Sequence, residues 1–207
     1  MEKRKLGKTG QMESIVYFKN PGKENTEEVL AIARQRALAL GIKTIVVAST
    51  TGWTAVKAVE ALKGFKVVVV SHSAGFKEPN TQEFTEENRK VVESKGATIL
   101  TTAHAFGALT RAMRQSSIPQ APTTYVIGDI VANTLRIFGQ GMKVACEIAA
   151  MAADAGVVRT DEDIISVAGT GSPEAGRGLD VAIVLRASYS HLFFETRVKE
   201  ILCKPHF

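Results

Sequence analysis

The stretch Thr44-Ile45-Val46-Val47-Ala48-Ser49-Thr50-Thr51-Gly52-Trp53-Thr54-Ala55 decides the fold. Its first five residues are an unbroken, mostly β-branched apolar run without polar alternation. Such a run belongs to a strand buried on both faces, the habit of parallel sheets covered by helices. Four hydroxyls and a glycine follow, and a helical pattern runs from Thr54 to Leu62. Strand, hydroxyl-rich loop and helix therefore come in the order of a crossover unit, with the loop at a strand's carboxyl end.

The same alternation extends on both sides. Upstream, Ser14 to Phe18 reads as a short strand stopped by Asn20-Pro21-Gly22. Asn25 or Thr26 is placed to cap a helix with Glu27 and Glu28 in its first turn, and Val29, Leu30, Ala33, Ala37 and Leu40 share one face before Gly41. Downstream, Lys66 to Val70 is a strand, Thr85 to Ser94 a polar helix and Ala97 to Leu100 a further strand. Ala105 to Gln115 reads as helix, with a break around Pro119 and Pro122. Thr123 to Ala155 reads as helix interrupted at Phe138-Gly139-Gln140-Gly141, its second half Ala-rich and buried. Ile164 to Ala168 and Asp180 to Leu185 are strands around a glycine-rich loop, and Val198 to Leu202 fits either a strand or a helix. The expected fold class is α/β, three-layer α/β/α, with a mostly parallel doubly wound sheet in a single domain over 1–207.

Composition agrees. The chain has 207 residues, 45% hydrophobic and 23% charged, which excludes a disordered chain, a fibre and a coiled coil. Its 26 Lys and Arg against 21 Asp and Glu give a net charge of +5, spread along the length. That suits a small anionic ligand and not the clustered basic face of a nucleic-acid binder. No apolar stretch is long enough to span a membrane, no signal peptide is evident, and two cysteines without CxxC spacing point to a reducing compartment. The expectation is a cytoplasmic protein with no nucleic-acid or membrane partner.

Ligands of open α/β sheets bind at the carboxyl ends of the strands. After the second strand, Ser49, Thr50, Thr51, Gly52, Trp53 and Thr54 offer hydroxyls and helix N-terminal N–H groups, the donors a phosphate needs; a turn that merely caps the helix is the bland alternative. After the third strand comes His72, and after the fourth Thr102 and His104. A lone histidine is more often structural, yet these two and the Ser49 loop converge on one crevice. Gly139, Gly141, Met142 and Lys143 open the second helical half, where exposed N–H groups and a plain helix corner are equal readings. Lys143 and Glu147 stand at i, i+4 and are expected to pair on the helix surface. Gly169, Thr170 and Gly171 begin a loop expected to cover a ligand.

Several motifs fail. Gly171 to Arg177 has four residues between two glycines, but Arg177-Gly178 stands where a triphosphate loop needs Lys-Ser/Thr, and a strand follows instead of a helix. No GxGxxG follows the first strand. His191 and Glu195 have metal-compatible spacing without a third ligand, so no metal is expected. Tyr189, His191, Phe193 and Phe194 read as a packed edge or subunit contact, and Cys146 lies in a buried helix where thiols are inert.

Glu27 to Ser71, with Ile45 to Ala48 and the Ser49 to Ala55 loop, resembles the carboxy-terminal alpha/beta domain of pyruvate kinase, as does Gly176 to Val184. The whole chain is similar to stand-alone pyruvate kinase alpha/beta domain-like proteins of archaea and anaerobic bacteria. Tyr17-Phe18, Pro21-Gly22, Asn25-Thr26, Thr102 to Phe106, Phe138 to Val144 and Ala168 to Gly171 carry that match; Ser172 to Gly176 is longer than the usual glycine loop. The resemblance implies bound flavin mononucleotide (FMN) and no pyruvate kinase activity, since that chemistry belongs to a separate barrel domain. It implies the phosphate at Ser49 to Thr54, and the ring toward His104, Gly139 to Met142 and Gly169 to Gly171, with Trp53 or Met142 against its face. A sugar-phosphate sensor and an FMN-dependent oxidoreductase are the alternatives. The partner expected is a small phosphorylated ligand, and the apolar helices and aromatic tail make a homo-oligomer an added expectation.

Overall fold

The computed structural model describes residue 10 and residues 12–115, 126–171 and 176–206. Seven strands form one sheet: β1 (Val16–Phe18), β2 (Thr44–Ala48), β3 (Lys66–Ser71), β4 (Thr98–Thr101), β5 (Asp163–Ala168), β6 (Val181–Arg186) and β7 (Arg197–Pro205). Their order is β1-β7-β6-β5-β2-β3-β4. The helices are α1 (Thr26–Leu40), α2 (Trp53–Ala61), α3 (Glu86–Ser94), α4 (Ala108–Gln115), α5 (Ile127–Arg136) and α6 (Gln140–Asp154).

Alternate residues of the central strands feed two cores. Ile45, Val47, Val67, Val69, Ile165 and Val167 pack with Val29, Leu30, Ala58, Val59 and Val92 of α1 to α3 on one face. Val46, Val68, Val70, Ile164, Ile183 and Leu185 pack with α6 on the other. Both faces are covered, so the strands carry no polar alternation. The small Ala145, Ala149, Ala152 and Ala153 of α6 are almost fully buried there, and α6 touches β2, β3, β5 and β6.

The expected layers and the mostly parallel sheet are observed, with three local differences. β6 runs antiparallel to both β5 and β7, because among the described residues no α-helix lies between β5 and β6 to carry a crossover. The ambiguous tail is strand β7, paired in parallel with β1. The Asn25 side chain does not cap α1: its Nδ2 donates to Asn20 O, while the Thr26 hydroxyl donates to Lys23 O and accepts from Leu179 N. The helical stretch is interrupted where expected, between α5 and α6 at Gly139; its first residues, 123–125, and the expected break at Pro119 and Pro122 lie outside the described residues.

Beside β2, the chain order turns: β3 and β4 lie on one side and β5 on the other. This is the switch point at which open α/β sheets bind ligands. Register pairs Val47 with both Val69 and Val167, and Ser71 with Thr101. The residues that follow, Ser49, His72, Thr102 and Gly169, therefore emerge along one edge.

Candidate functional site

A cleft of about 840 Å³ opens at that edge. Of the residues expected from sequence, Ser49, Thr50, Thr54, His72, His104, Lys143, Gly169, Thr170 and Gly171 line it. Thr51, Gly52, Trp53, Thr102, Gly139, Gly141 and Met142 do not.

The β2–α2 loop caps its helix with two hydroxyls and leaves other donors open. Ser49 Oγ accepts from Ala55 N at 3.2 Å, and Thr54 Oγ1 donates to Ala48 O at 2.8 Å. Those two hydroxyls join strand end to helix start, as the capping alternative required. Among the described residues, nothing accepts from the N–H groups of Thr50 and Thr54. The Thr50 hydroxyl likewise has no partner there. These are donors at the positive end of a helix dipole, beside the cleft.

Thr51 and Gly52 face α3 and its N-cap. Thr51 O accepts from Asn88 Nδ2 and Thr85 N. Gly52 has φ +94°, and a Cβ there would lie 2.5 Å from Asn88 Cβ, so glycine is required twice over. Trp53 lies under the Lys23 and Lys57 ammonium groups, at 4.4 and 5.3 Å from its ring. It is therefore not a wall of the cleft. Met142 is in the α6 core, and Gly141 lets α6 approach Val181 and Asp180. The expected ring contact by either Trp53 or Met142 is corrected by this packing.

The Gly169 to Gly171 segment is fixed from behind. A Cβ on Gly169 would stand 1.8 Å from Gly178 O. Asp180 is fully buried and accepts from Gly22 N at 3.0 Å and from Thr170 N at 3.1 Å. Burial pushes its carboxyl above the usual range against the pull of those N–H groups. Residues 172–175 of the expected covering loop lie outside the described residues.

Three aromatic rings meet at the β3 and β4 ends. His72 and Phe76 centroids are 4.1 Å apart, Phe76 and His104 5.0 Å, and His72 and His104 5.2 Å. The Arg111 guanidinium lies 4.2 Å over the Phe76 ring. His72 Nδ1 bonds Glu83 Oε2 at 2.8 Å, and Glu83 Oε1 accepts from Arg177 at 3.0 Å. Burial, with help from His72, Lys143 and Arg111, lowers the His104 pKa against the attraction of Glu147. Its surroundings therefore disfavour the charged imidazolium.

The Lys143–Glu147 pair does form, but not on the helix surface. Lys143 is 7% exposed and Glu147 1%, and both line the cleft. Lys143 Nζ bonds Glu147 Oε2, while Glu147 Oε1 accepts from Phe106 N at 3.0 Å. The i, i+4 spacing carried the pairing; that this face of α6 turns inward required the third dimension. Sequence reading also missed Phe76, Phe106, Arg111 and Glu83. Glu83 is 11 residues from His72 in a long loop and has no local signature.

Among the described residues, four cations line the cleft (Arg111, Arg136, Lys143 and Arg177) against two acids, Asp129 and Glu147. The balance favours an anion. Burial pushes the Cys146 and Cys203 thiols up to about 12, so both are inert. Among the described residues no group of three metal ligands occurs, and no helix is long and apolar enough to cross a membrane.

The family model "Pyruvate kinase, alpha/beta domain" matches residues 27–184. Among solved structures, a Cryptosporidium parvum pyruvate kinase in complex with ADP matches at 13% identity and TM-score 0.39, over 78% of this chain and 23% of that one. A second Cryptosporidium parvum pyruvate kinase structure matches at 12% identity and TM-score 0.37, over 78% and 22%. The chain thus spans less than a quarter of the length of these enzymes.

Proposed function

The chain belongs to the pyruvate kinase alpha/beta domain family, and from that premise we propose that it binds a phosphorylated ligand, FMN, in the cleft at the strands' carboxyl ends. The observation that carries the reading is the β2–α2 loop: Thr50 and Thr54 keep backbone N–H groups without a partner among the described residues, at a helix N-terminus on the sheet's switch point. A phosphate fits that donor set, since it needs donors without bulk and a favourable dipole. A flat ring fits the other side of the cleft, where Phe76, His72 and His104 form an aromatic surface. The family resemblance supplies the flavin; the donors and the charge balance supply the phosphate.

When bound, FMN would bring one- and two-electron redox chemistry. This chain's own residues would hold it. Thr50 and the start of α2 take the phosphate, Gly169 to Gly171 present backbone at the cleft, and the aromatic wall excludes water from one side. No substrate or redox partner is assigned. Pyruvate kinase turnover is not part of the reading, because the matched segment is the alpha/beta domain alone. A cytoplasmic location and self-association accompany the reading as further proposals.

The test is uptake of the flavin by the purified full chain. Visible flavin absorbance that stays with the protein through gel filtration, and thermal stabilisation that rises with FMN concentration, are expected. Stabilisation by a sugar bisphosphate and none by FMN would replace the flavin reading with the sugar-phosphate sensor.

A further inference from the structure

Lys143 is a buried ammonium whose hydrogen bonding is incomplete. Its counter-ion is held at both oxygens: Glu147 Oε2 takes Lys143 Nζ, and Glu147 Oε1 takes the Phe106 N–H. An ammonium carries three donors. Among the described residues, Glu147 supplies Lys143's one hydrogen-bond acceptor, leaving two N–H groups at a position only 7% exposed. A buried ion pair costs desolvation energy, and unsatisfied donors add to that cost unless something in the cleft accepts from them.

Location gives those donors a direction of use. α2 covers one face of the sheet and α6 the other. Thr50 and Lys143 therefore reach the cleft from opposite sides. On Lys143's side stand Phe106, with its ring 5.8 Å from the ammonium, and His104, whose pKa burial lowers with help from His72 and Lys143. With Phe106 on one side and the His104 ring, itself packed on Phe76, on the other, the ammonium stands among flat apolar surfaces. This wall suits an oxygen-bearing ring edge better than a second phosphate.

We infer that Lys143, seated on Glu147, reads the non-phosphate end of the ligand by donating to an acceptor oxygen such as a ring carbonyl. The inference rests on the ligand reading above and specifies how the cleft recognises a ligand at two ends. Lys143 acts here as a binding group. Glu147 is a positioning residue that fixes the ammonium and touches no ligand atom.

Affinities of the full-length wild-type chain, K143M and the double variant K143M/E147Q for FMN, riboflavin and inorganic phosphate test the assignment. Methionine keeps the side chain's reach while removing the charge. The double variant avoids an unpaired carboxylate and decides the matter if K143M does not fold. Loss of a hydrogen bond from a charged donor is expected to weaken FMN and riboflavin alike, on the order of ten- to a hundredfold. Phosphate affinity should change by less than about twofold.

If phosphate and FMN weaken together while riboflavin does not, Lys143 reads the phosphate and the inference is wrong. It is equally overturned if FMN binds the wild type but riboflavin does not, or if the variants bind both flavins as the wild type does. A wild-type chain that takes up neither flavin removes the ligand reading itself, and this inference with it.

Discussion

Glu83 holds His72 Nδ1 at 2.8 Å with one carboxylate oxygen and Arg177 at 3.0 Å with the other. One side chain thereby ties the loop after β3 to the glycine loop after β5, across the cleft's rim. A carboxylate on Nδ1 keeps a proton on that nitrogen and fixes the ring's orientation.

Burial alone would raise the Glu83 pKa, but the bonds from Arg177 and His72 outweigh it and hold the carboxyl below its ordinary 4.5. A lowered carboxyl stabilises the fold above the unfolded value, and that contribution is lost as pH falls through the folded one. In Glu83→Gln, the deficit relative to wild type should be full above about pH 4.5 and shrink on acidification. Denaturant unfolding at a series of pH values measures it. A deficit that does not change with pH would show that Glu83 acts by packing alone.

Ser49 and Thr50 are adjacent but divide the work of their loop. Ser49 Oγ accepts from Ala55 N inside the fold, whereas Thr50 faces the cleft without a partner among the described residues. Ser49→Ala should lower stability by about 1 kcal/mol, as loss of a helix-capping hydroxyl does. Thr50→Ala should leave stability within about 0.5 kcal/mol of wild type and weaken FMN instead. Thermal unfolding and flavin titration of both variants separate the effects; the reverse assignment would mean that Ser49 is the ligand residue and Thr50 the cap.

This division marks where sequence stops being legible. The runs Ile45 to Val47 and Val67 to Val70 announced strands buried on both faces, because burial on both sides erases alternation. The strand-end position of His72 and His104 followed from the same pattern. What a hydroxyl bonds to is not periodic, so Ser49 as cap and Thr50 as cleft residue looked equivalent. Trp53 and Met142 drew attention by residue type, yet their direction depends on α3, Lys23 and the α6 core. The antiparallel turn of β6 was foreshadowed only by the missing helix between residues 168 and 181. Glu83 reached the site through tertiary contact alone.

Lys143 and Glu147 also make a prediction about stability, independent of any ligand. Removing one member of a buried ion pair leaves the other charged and unpaired, whereas removing both charges does not. Lys143→Met alone should cost about 3–5 kcal/mol, and adding Glu147→Gln should recover most of it, since Gln Oε1 still accepts from Phe106 N. Urea unfolding of the two single variants and the double variant gives the coupling between the sites. Additive effects would place the pair on a solvated helix surface, contrary to the burial of both side chains.

Asp180 offers a pH test of opposite sign. Its carboxyl is fully buried, and burial raises it above 3.8 even though Thr170 and Gly22 donate to it. As pH rises, the unfolded chain releases this proton first. The contribution of Asp180 is therefore complete below the unfolded value and is lost as pH climbs through the folded one. Asp180→Asn keeps the shape and an acceptor oxygen but cannot titrate. The advantage of wild type over this variant should decline from about pH 4 upward. Asp180→Ala instead strands the Gly22 and Thr170 N–H groups at every pH, at a cost of about 1–3 kcal/mol. If the advantage of wild type over Asp180→Asn grows with pH, the N–H bonds outweigh burial, and Asp180 is a stabilised carboxylate that anchors Thr170 through its charge.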